Sequence, residues 1–173
     1  MEEESMKKGI LAAALLCCTL LSGTAYASDY YGWDTILLAP QSQNSPNYNI
    51  YHNSRFNFSI PFPNYFGQSG ELPGNGDGIC MEGEGATLAM SGSHNMGDTP
   101  ESDFEYVYDK SSVFGKETTA DTLSYYQDEG STEMYYYKKF GSICCSLSFE
   151  YPKDEHDKYA EIISYMKQNM SLG

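Results

Sequence analysis

The segment ICCSLSFEY, residues 143–151, alternates between apolar and polar positions over its whole length. Successive side chains of an extended chain point to opposite faces. One face of this segment therefore carries Ile143, Cys145, Leu147, Phe149 and Tyr151. A period of two with one apolar face predicts a β-strand that covers a hydrophobic core. The same geometry places Cys144 on the face opposite to Cys145.

Similar short segments recur along the chain, with turn residues between them. Alternation from Tyr48 to Ile60 predicts two strands that meet at a turn around Asn53-Ser54. The sequence EGEG, residues 82–85, predicts a second turn, because glycine adopts positive φ without strain. Four further stretches have the composition of strands that flank or follow these turns: residues 79–81, 86–92, 123–127 and 133–140.

Two segments predict helices. In the first, Thr99 is the expected cap and Pro100 suits the first helical position. Phe104, Val107, Tyr108 and Ser111 follow at helical spacing. In the second, Pro152 ends the last strand and Asp154 is the expected cap. The apolar face of this second helix consists of Tyr159, Ile162, Ile163, Met166 and Met170. The order of elements predicts the α+β class, with an antiparallel sheet covered by helices.

The N-terminal residues have the pattern of a secretory signal. Lys7 and Lys8 precede an apolar run over residues 9–21, and Ala25-Tyr26-Ala27 is a small-x-small cleavage site. We expect a start at Met6, cleavage after Ala27, and a periplasmic or extracellular location. The expected organisation is a signal over residues 1–27, an extension over 28–47 and one domain over 48–173, with no membrane span after cleavage.

The formal net charge of −14 limits the classes of partner. Nucleic acids and anionic membranes both require a basic footprint, so neither is an expected partner. We interpret the acidity as a solubility property of an exported protein, with a cation or a basic protein as the alternative. The expected partner is an unidentified protein or small ligand, and the oligomeric state is left open.

The residues that perform catalysis in other proteins form no recognised motif in this chain. His52, His94 and His156 occur at candidate turns or at a helix start, and neither a nucleophile elbow nor an H-E-x-x-H pair is present. We therefore predict no catalytic residues and no cofactor. Tyr135 and Tyr137 share one face of a predicted strand, and we interpret them as sheet packing. A binding surface for carbohydrate or protein is the alternative.

The glycine-rich segment over residues 73–85 matches part of a calcium-binding loop. With Gly78 at the sixth position, Glu84 occupies the twelfth, but Pro73 stands where the first carboxylate belongs. No G-K-[ST] sequence follows, which excludes a phosphate-binding loop. We interpret the segment as turns and predict no dedicated metal site. The candidate ligands for an adventitious Ca²⁺ are Asp77, Glu82 and Glu84.

Three cysteines remain after removal of the signal: Cys80, Cys144 and Cys145. Disulfides persist in the oxidising compartments that exported proteins reach, so we expect Cys80 to pair with Cys144 or with Cys145. A bond between the two neighbouring cysteines would distort the strand. Their spacing also differs from the C-x-x-C arrangement that suits a tetrahedral metal. The odd number leaves one thiol over.

Three pieces of the sequence together resemble a known family. They are YHNSRFNFSIPFPNYF (residues 51–66), GNGDG (74–78) followed by GEGATLAMSG, and LSFEYPKDEHDKYAEIISYMKQNMS (147–171). The pattern is similar to exported bacterial domains with a Y-x-N-x-R-[FY]-G-F-S-I motif, an N-G-D-G loop and a final helix after Tyr-Pro. Those domains are grouped with the PsbP-like fold, an α-β-α sandwich that also occurs in an extrinsic photosystem II subunit and in a Ran-binding nuclear import factor.

The resemblance covers residues 48–171 and departs from the family at Asn57, where the family has glycine. It implies a structural role for the motif residues Asn53, Arg55, Asn75, Gly76, Asp77, Gly78, Tyr151 and Pro152. It also implies a non-enzymatic accessory or binding module of the cell envelope or extracellular space. The alternatives are a hydrolase of surface polymers that uses a carboxylate pair and a Ca²⁺-responsive module.

Overall fold

The structure is a computed structural model that describes residues 25–27, 34–37, 48–69 and 76–173. The predicted signal's apolar run, residues 9–21, lies outside these ranges, as does Asn75. The described residues form two sheets, both antiparallel throughout. The sequence predicted the antiparallel arrangement but only one sheet.

The smaller sheet contains five strands in the order β1-β2-β3-β4-β12. Its strands are β1 (Ala25–Ala27), β2 (Asp34–Leu37), β3 (Tyr48–Asn53), β4 (Phe58–Pro63) and β12 (Ser171–Leu172). The strands β3 and β4 are the hairpin that the alternation from Tyr48 predicted. The segment assigned to an N-terminal extension also contributes, because β2 pairs with β3.

The larger sheet contains seven strands in the order β5-β6-β7-β11-β10-β9-β8. Its strands are β5 (Gly67–Gln68), β6 (Gly78–Gly83), β7 (Ala86–His94), β8 (Val113–Thr118), β9 (Thr122–Asp128), β10 (Thr132–Lys139) and β11 (Ile143–Pro152). Of these, β8 was not predicted. Most of its residues are exposed at the sheet edge, so the segment lacks an apolar period.

The described residues include two α-helices, α1 (Pro100–Glu105) and α2 (His156–Asn169). In α1, Thr99 forms the predicted cap, and its hydroxyl accepts a bond from the Ser102 backbone N–H at 3.2 Å. This helix is shorter than predicted. Asp109 instead caps a separate 3₁₀ turn, Lys110–Ser112, through a bond from the Ser111 backbone N–H.

The start of α2 differs from the prediction, whereas its buried face agrees with it. A 3₁₀ turn, Lys153–Glu155, precedes the helix, so the predicted Asp154 cap is wrong. Glu155 occupies the cap position without a side-chain bond to the helix. Tyr159, Ile163 and Met166 are buried as predicted.

The two faces of the larger sheet support separate hydrophobic clusters. Cys145 lies in the main cluster with residues of the smaller sheet and α2, whereas Cys144 lies in the second cluster against Phe104 of α1. Consecutive residues of one strand point to opposite faces. The two helices therefore contact opposite faces of this sheet, and the predicted α+β class is confirmed.

Two turns explain how the motif segments join their strands. Glu84 and Gly85 form a two-residue hairpin turn with φ of 50° and 77°, between the paired residues Gly83 and Ala86. Positive φ at both positions is the requirement of a type I′ turn. Glu82 lies in β6 and not in this turn. Asn57 has φ of 51°, so it occupies a turn and not the predicted strand position. Asparagine tolerates this conformation better than other non-glycine residues, which explains how it replaces the family's glycine.

Candidate functional site

Two motif segments that are distant in sequence meet at the end of the β3–β4 hairpin. Asn53 is completely buried, and its Nδ2 donates to the Gly76 carbonyl and to the Tyr51 hydroxyl, both at 3.0 Å. Its Oδ1 accepts a bond from the Phe56 backbone N–H at 2.9 Å. One amide therefore fixes the hairpin loop and joins it to the glycine-rich segment.

A salt bridge and a close backbone approach complete this junction. The guanidinium of Arg55 pairs with the carboxylate of Asp77. At Gly78, a Cβ would lie 2.1 Å from the Met90 carbonyl oxygen, so only glycine fits beside β7. The motif residues Asn53 and Gly76, and Arg55 and Asp77, thus contact each other.

The third motif segment also lies in the core. Tyr151 is completely buried, and its ring stacks on that of Tyr159 at a centroid distance of 4.8 Å. Pro152 is the last residue of β11 and pairs with Thr132. Neither residue lines the cleft described below.

The three candidate calcium ligands do not converge. Asp77 pairs with Arg55, while Glu82 accepts a bond from Ser69 Oγ at 2.5 Å. Glu84 lies at the other end of β6 and pairs with Lys158 at 3.0 Å. Seven residues of extended chain separate Asp77 from Glu84 by about 23 Å. Among the described residues, no group of three or more His, Cys, Asp or Glu side chains is placed to hold a metal ion.

The predicted disulfide is absent, and the strand register explains why. Cys80, Cys144 and Cys145 are all free thiols. Cys80 pairs with Ala89, which pairs with Ser148, so Cys80 shares a face with Cys144 and not with Cys145. Two strand spacings and four residues along β11 separate Cys80 from Cys144 by about 16 Å. A disulfide requires Cα atoms within about 7 Å.

A cleft of about 340 Å³ lies between the larger sheet and α2. Its sheet side consists of Gly115, Glu117, Ser124, Tyr126 and Tyr135. Its helix side consists of Ala160, Ile163, Ser164, Lys167 and Gln168. The lining residues come from β8, β9, β10 and α2, so the cleft exists only once the C-terminal helix packs on the sheet.

The Tyr135 hydroxyl is the unusual group in this cleft. Tyr135 is 2% exposed, and within the described residues its buried hydroxyl has no hydrogen-bond partner. Burial raises the pKa of Tyr135 to about 12, an effect that the nearby Ser124 hydroxyl opposes without reaching hydrogen-bond geometry. A buried polar group without a partner costs about 1–3 kcal/mol. The fold therefore holds a desolvated hydroxyl on a residue that lines the cleft.

Lys167 supplies the positive charge of the cleft. Its Nζ lies 5.6 Å from the centroid of the Tyr135 ring and 5.4 Å from that of the Tyr137 ring. The Glu117 carboxylate is 3.8 Å away and is 76% exposed, whereas the Lys167 side chain is 30% exposed. A bond from an ammonium to a carboxylate is about 2.8 Å long. Lys167 is therefore held by two aromatic rings and only loosely by a carboxylate at the rim.

A buried carboxylate lies behind the Tyr126 wall of the cleft. Glu133 is 6% exposed and accepts bonds from His156 Nδ1 at 2.5 Å and from the Tyr151 hydroxyl at 3.3 Å. The His156 ring also contacts the Tyr126 ring at a centroid distance of 5.4 Å. This group of three polar side chains ties the start of α2 to β10 and β11, and thereby fixes one wall of the cleft.

The cleft was not predicted from the sequence. Tyr135 and Tyr137 lie on one face and pack in the main hydrophobic cluster, as predicted. The residue that could have indicated the cleft is Lys167, which lies one turn after Ile163 on the side of α2 that faces the sheet. A lysine on the buried side of an amphipathic helix indicates a polar environment beneath that helix.

Comparisons with known proteins identify the fold and no family. No family model matches the chain, and no curated protein matches it. Among solved structures, the chain is similar to cyanobacterial PsbP (CyanoP) from Synechocystis sp. PCC 6803, with a TM-score of 0.55 and 11% identity. The match covers 78% of this chain and 98% of that chain. The PsbP-like fold is therefore confirmed, and at this identity the similarity shows the fold alone.

In the part of the chain that the structure describes, neither helix has the length and apolar composition needed to cross a membrane.

Proposed function

We propose that this protein is an exported, non-enzymatic binding domain that holds a small ligand in the cleft between the larger sheet and α2. The observation that carries the proposal is the buried hydroxyl of Tyr135, a residue that lines the cleft, because this hydroxyl has no hydrogen-bond partner within the described residues. Export is supported by the secretory pattern of residues 1–27.

Folding alone gives no reason to keep the hydroxyl of Tyr135. A phenylalanine at position 135 would fill nearly the same space and avoid the cost of desolvating the hydroxyl. A ligand that supplies the missing hydrogen-bond partner would remove that cost. The new bond would strengthen binding and fix the orientation of the ligand. The volume of about 340 Å³ is at the lower end of the range for ligand pockets, which suits a molecule the size of one ring.

The polar groups of the cleft favour binding over hydrolysis. In the part of the chain that the structure describes, Glu117 is the one carboxylate that lines the cleft. The neighbouring Glu133 bonds to His156 and Tyr151 instead of facing a second carboxylate. Hydrolysis of a glycosidic bond by the usual mechanism requires two carboxylates on either side of that bond.

The experiment is an NMR titration of the ¹⁵N-labelled exported protein with a library of ring-sized polar molecules. The proposal expects binders whose amide shifts concentrate at Ser124, Tyr135, Ser164 and Lys167. Tyr135→Phe is expected to weaken them. Tyr136→Phe is the matched control, because the Tyr136 hydroxyl points to the other face of the sheet and bonds to Asp103 at 3.1 Å.

Two results would overturn this function. One is the absence of any binder at millimolar concentration. The other is a set of binders whose shifts lie outside the cleft and do not respond to Tyr135→Phe.

A further inference from the structure

We infer that the ligand of the cleft is a small carboxylate, bound by the ammonium of Lys167 and the hydroxyl of Tyr135. This inference rests on the proposed binding function and adds the chemical class of the ligand. Four features of the lining support it: the balance of donors and acceptors, the position of Lys167, the number of charged side chains, and the shape of the aromatic wall.

Hydrogen-bond donors outnumber obligatory acceptors in the cleft. Lys167 has three N–H donors and no acceptor, and the hydroxyls of Ser124, Tyr135 and Ser164 are all able to donate. The Gln168 amide already donates to Ser164 Oγ at 3.0 Å, which leaves the Ser164 proton directed elsewhere. Glu117 is the one lining group that only accepts. A donor-rich cleft is complementary to a ligand group that only accepts, such as a carboxylate.

The position of Lys167 points to an anionic ligand and not to a cationic one. Its ammonium lies inside the cleft over two tyrosine rings, while Glu117 lies mostly in solvent at the rim. An exposed carboxylate is screened by water and salt and attracts a cation weakly. The Lys167 side chain is 30% exposed, and its carboxylate partner among the described residues is 3.8 Å away, so its ammonium still has donors available for a charge-assisted bond.

The charge of the site limits the ligand to a single negative charge. Among the described residues that line the cleft, Lys167 is the one basic side chain, and Glu117 lies 3.8 Å from it. The second negative charge of a phosphate dianion would have no basic partner among the described residues that line the cleft. A monocarboxylate places one charge against the ammonium and keeps its remainder away from Glu117.

The walls of the cleft favour a ring as the remainder of the ligand. The Tyr126 and Tyr135 rings lie 4.8 Å apart and tilted, and Ile163 and Ala160 face them from α2. Aromatic and aliphatic side chains of this kind pack against a flat apolar group. The cleft therefore fits a compact ring with one carboxylate at its edge.

The test uses three probes of nearly equal shape that differ in charge: benzoate, benzamide and benzylamine. Each is titrated into the exported protein by isothermal calorimetry and by NMR at low ionic strength. The expected result is that benzoate binds at least about tenfold tighter than benzamide and that benzylamine does not bind in the cleft.

Lys167→Met keeps the apolar stem over the tyrosine rings and removes the charge. It is therefore expected to weaken the affinity for benzoate by about tenfold while leaving the affinity for benzamide unchanged. Lys110→Met is the matched control, because Lys110 pairs with Glu105 away from the cleft.

The outcomes distinguish a wrong ligand class from a wrong binding function. If benzamide or benzylamine binds in the cleft as tightly as benzoate, the carboxylate class is wrong and the binding function stands. The same conclusion follows if Lys167→Met leaves benzoate affinity unchanged. If no probe in this trio and no member of the wider library binds in the cleft, both proposals fail.

Discussion

The Asn53 side chain donates a hydrogen bond to the Gly76 carbonyl at 3.0 Å, across 23 positions of the sequence. Asn53 is completely buried. Its Nδ2 also donates to the Tyr51 hydroxyl, and its Oδ1 accepts a bond from the Phe56 backbone N–H. The asparagine therefore couples the loop of the β3–β4 hairpin to the entry of β6.

Replacement of Asn53 by alanine is expected to destabilise the fold by about 3 kcal/mol. The change leaves the Phe56 N–H and the Gly76 carbonyl in the interior without their partner, and each such group costs about 1–3 kcal/mol. Urea unfolding of the exported protein measures the loss. Asn64→Ala, at an exposed position, is the control and is expected to change stability by less than about 0.5 kcal/mol. Equal effects of the two substitutions would contradict the role assigned to Asn53.

The reactivity of the cysteines is expected to follow their burial. Cys80 is partly exposed, whereas Cys144 and Cys145 are 2% and 0% exposed. Burial also raises the pKa of the Cys145 thiol to about 12, which removes the reactive thiolate near neutral pH. Iodoacetamide applied to the folded, unreduced protein is expected to label Cys80 and neither of the others, with all three labelled after denaturation. Mass spectrometry that finds Cys80 blocked until a reductant is added would contradict the free thiols.

The cysteines also show which part of the fold the sequence determines. The alternation of residues 143–151 was enough to place Cys144 and Cys145 on opposite faces, because side-chain direction in a strand is a local property. The distance from Cys80 depends on which strands are neighbours and in which register. Those pairings arise from packing across the whole sheet, and no short segment contains them.

The same distinction explains why the fold class was predictable and the cleft was not. Strands and the apolar face of α2 left periodic patterns in the sequence, whereas β8 is an exposed edge strand with an irregular register between Phe114 and Glu117. The cleft needs β8, because Gly115 and Glu117 line it. Tyr135 looked like a core residue from its strand position, and only the packed structure shows that its hydroxyl has no partner.

Stability is expected to fall as the pH rises from about 10 to about 12. Burial raises the pKa of Tyr125 and of Tyr135 to about 12, above the value near 10 of an unfolded tyrosine. A raised pKa in the folded state means that the fold binds the phenol proton more tightly than the unfolded chain does. The resulting stabilisation is complete below pH 10 and is lost as the pH approaches 12. Unfolding free energies measured at intervals through this range test the prediction, with tyrosinate absorbance followed in parallel. Stability that stays constant through this range would contradict it.

We expect that the hydroxyl at position 135 lowers the free energy of unfolding. Tyr135→Phe removes one oxygen atom that has no hydrogen-bond partner within the described residues, and it preserves the ring contacts with Tyr126 and Lys167. We expect the variant to be more stable than the parent by about 1 kcal/mol, since an unsatisfied buried hydroxyl is removed without creating a cavity. Tyr151→Phe is the matched control in the same core, because its hydroxyl bonds to Glu133 at 3.3 Å and its loss is expected to destabilise by about 1 kcal/mol. Urea unfolding of both variants without added ligand gives the sign of each change in unfolding free energy.

We expect Tyr135→Phe to gain stability and to bind the ligand more weakly. This combination is the result expected for a residue that serves binding and lowers the stability of the fold. A loss of stability in Tyr135→Phe as large as that in Tyr151→Phe would instead show that the hydroxyl supports the fold.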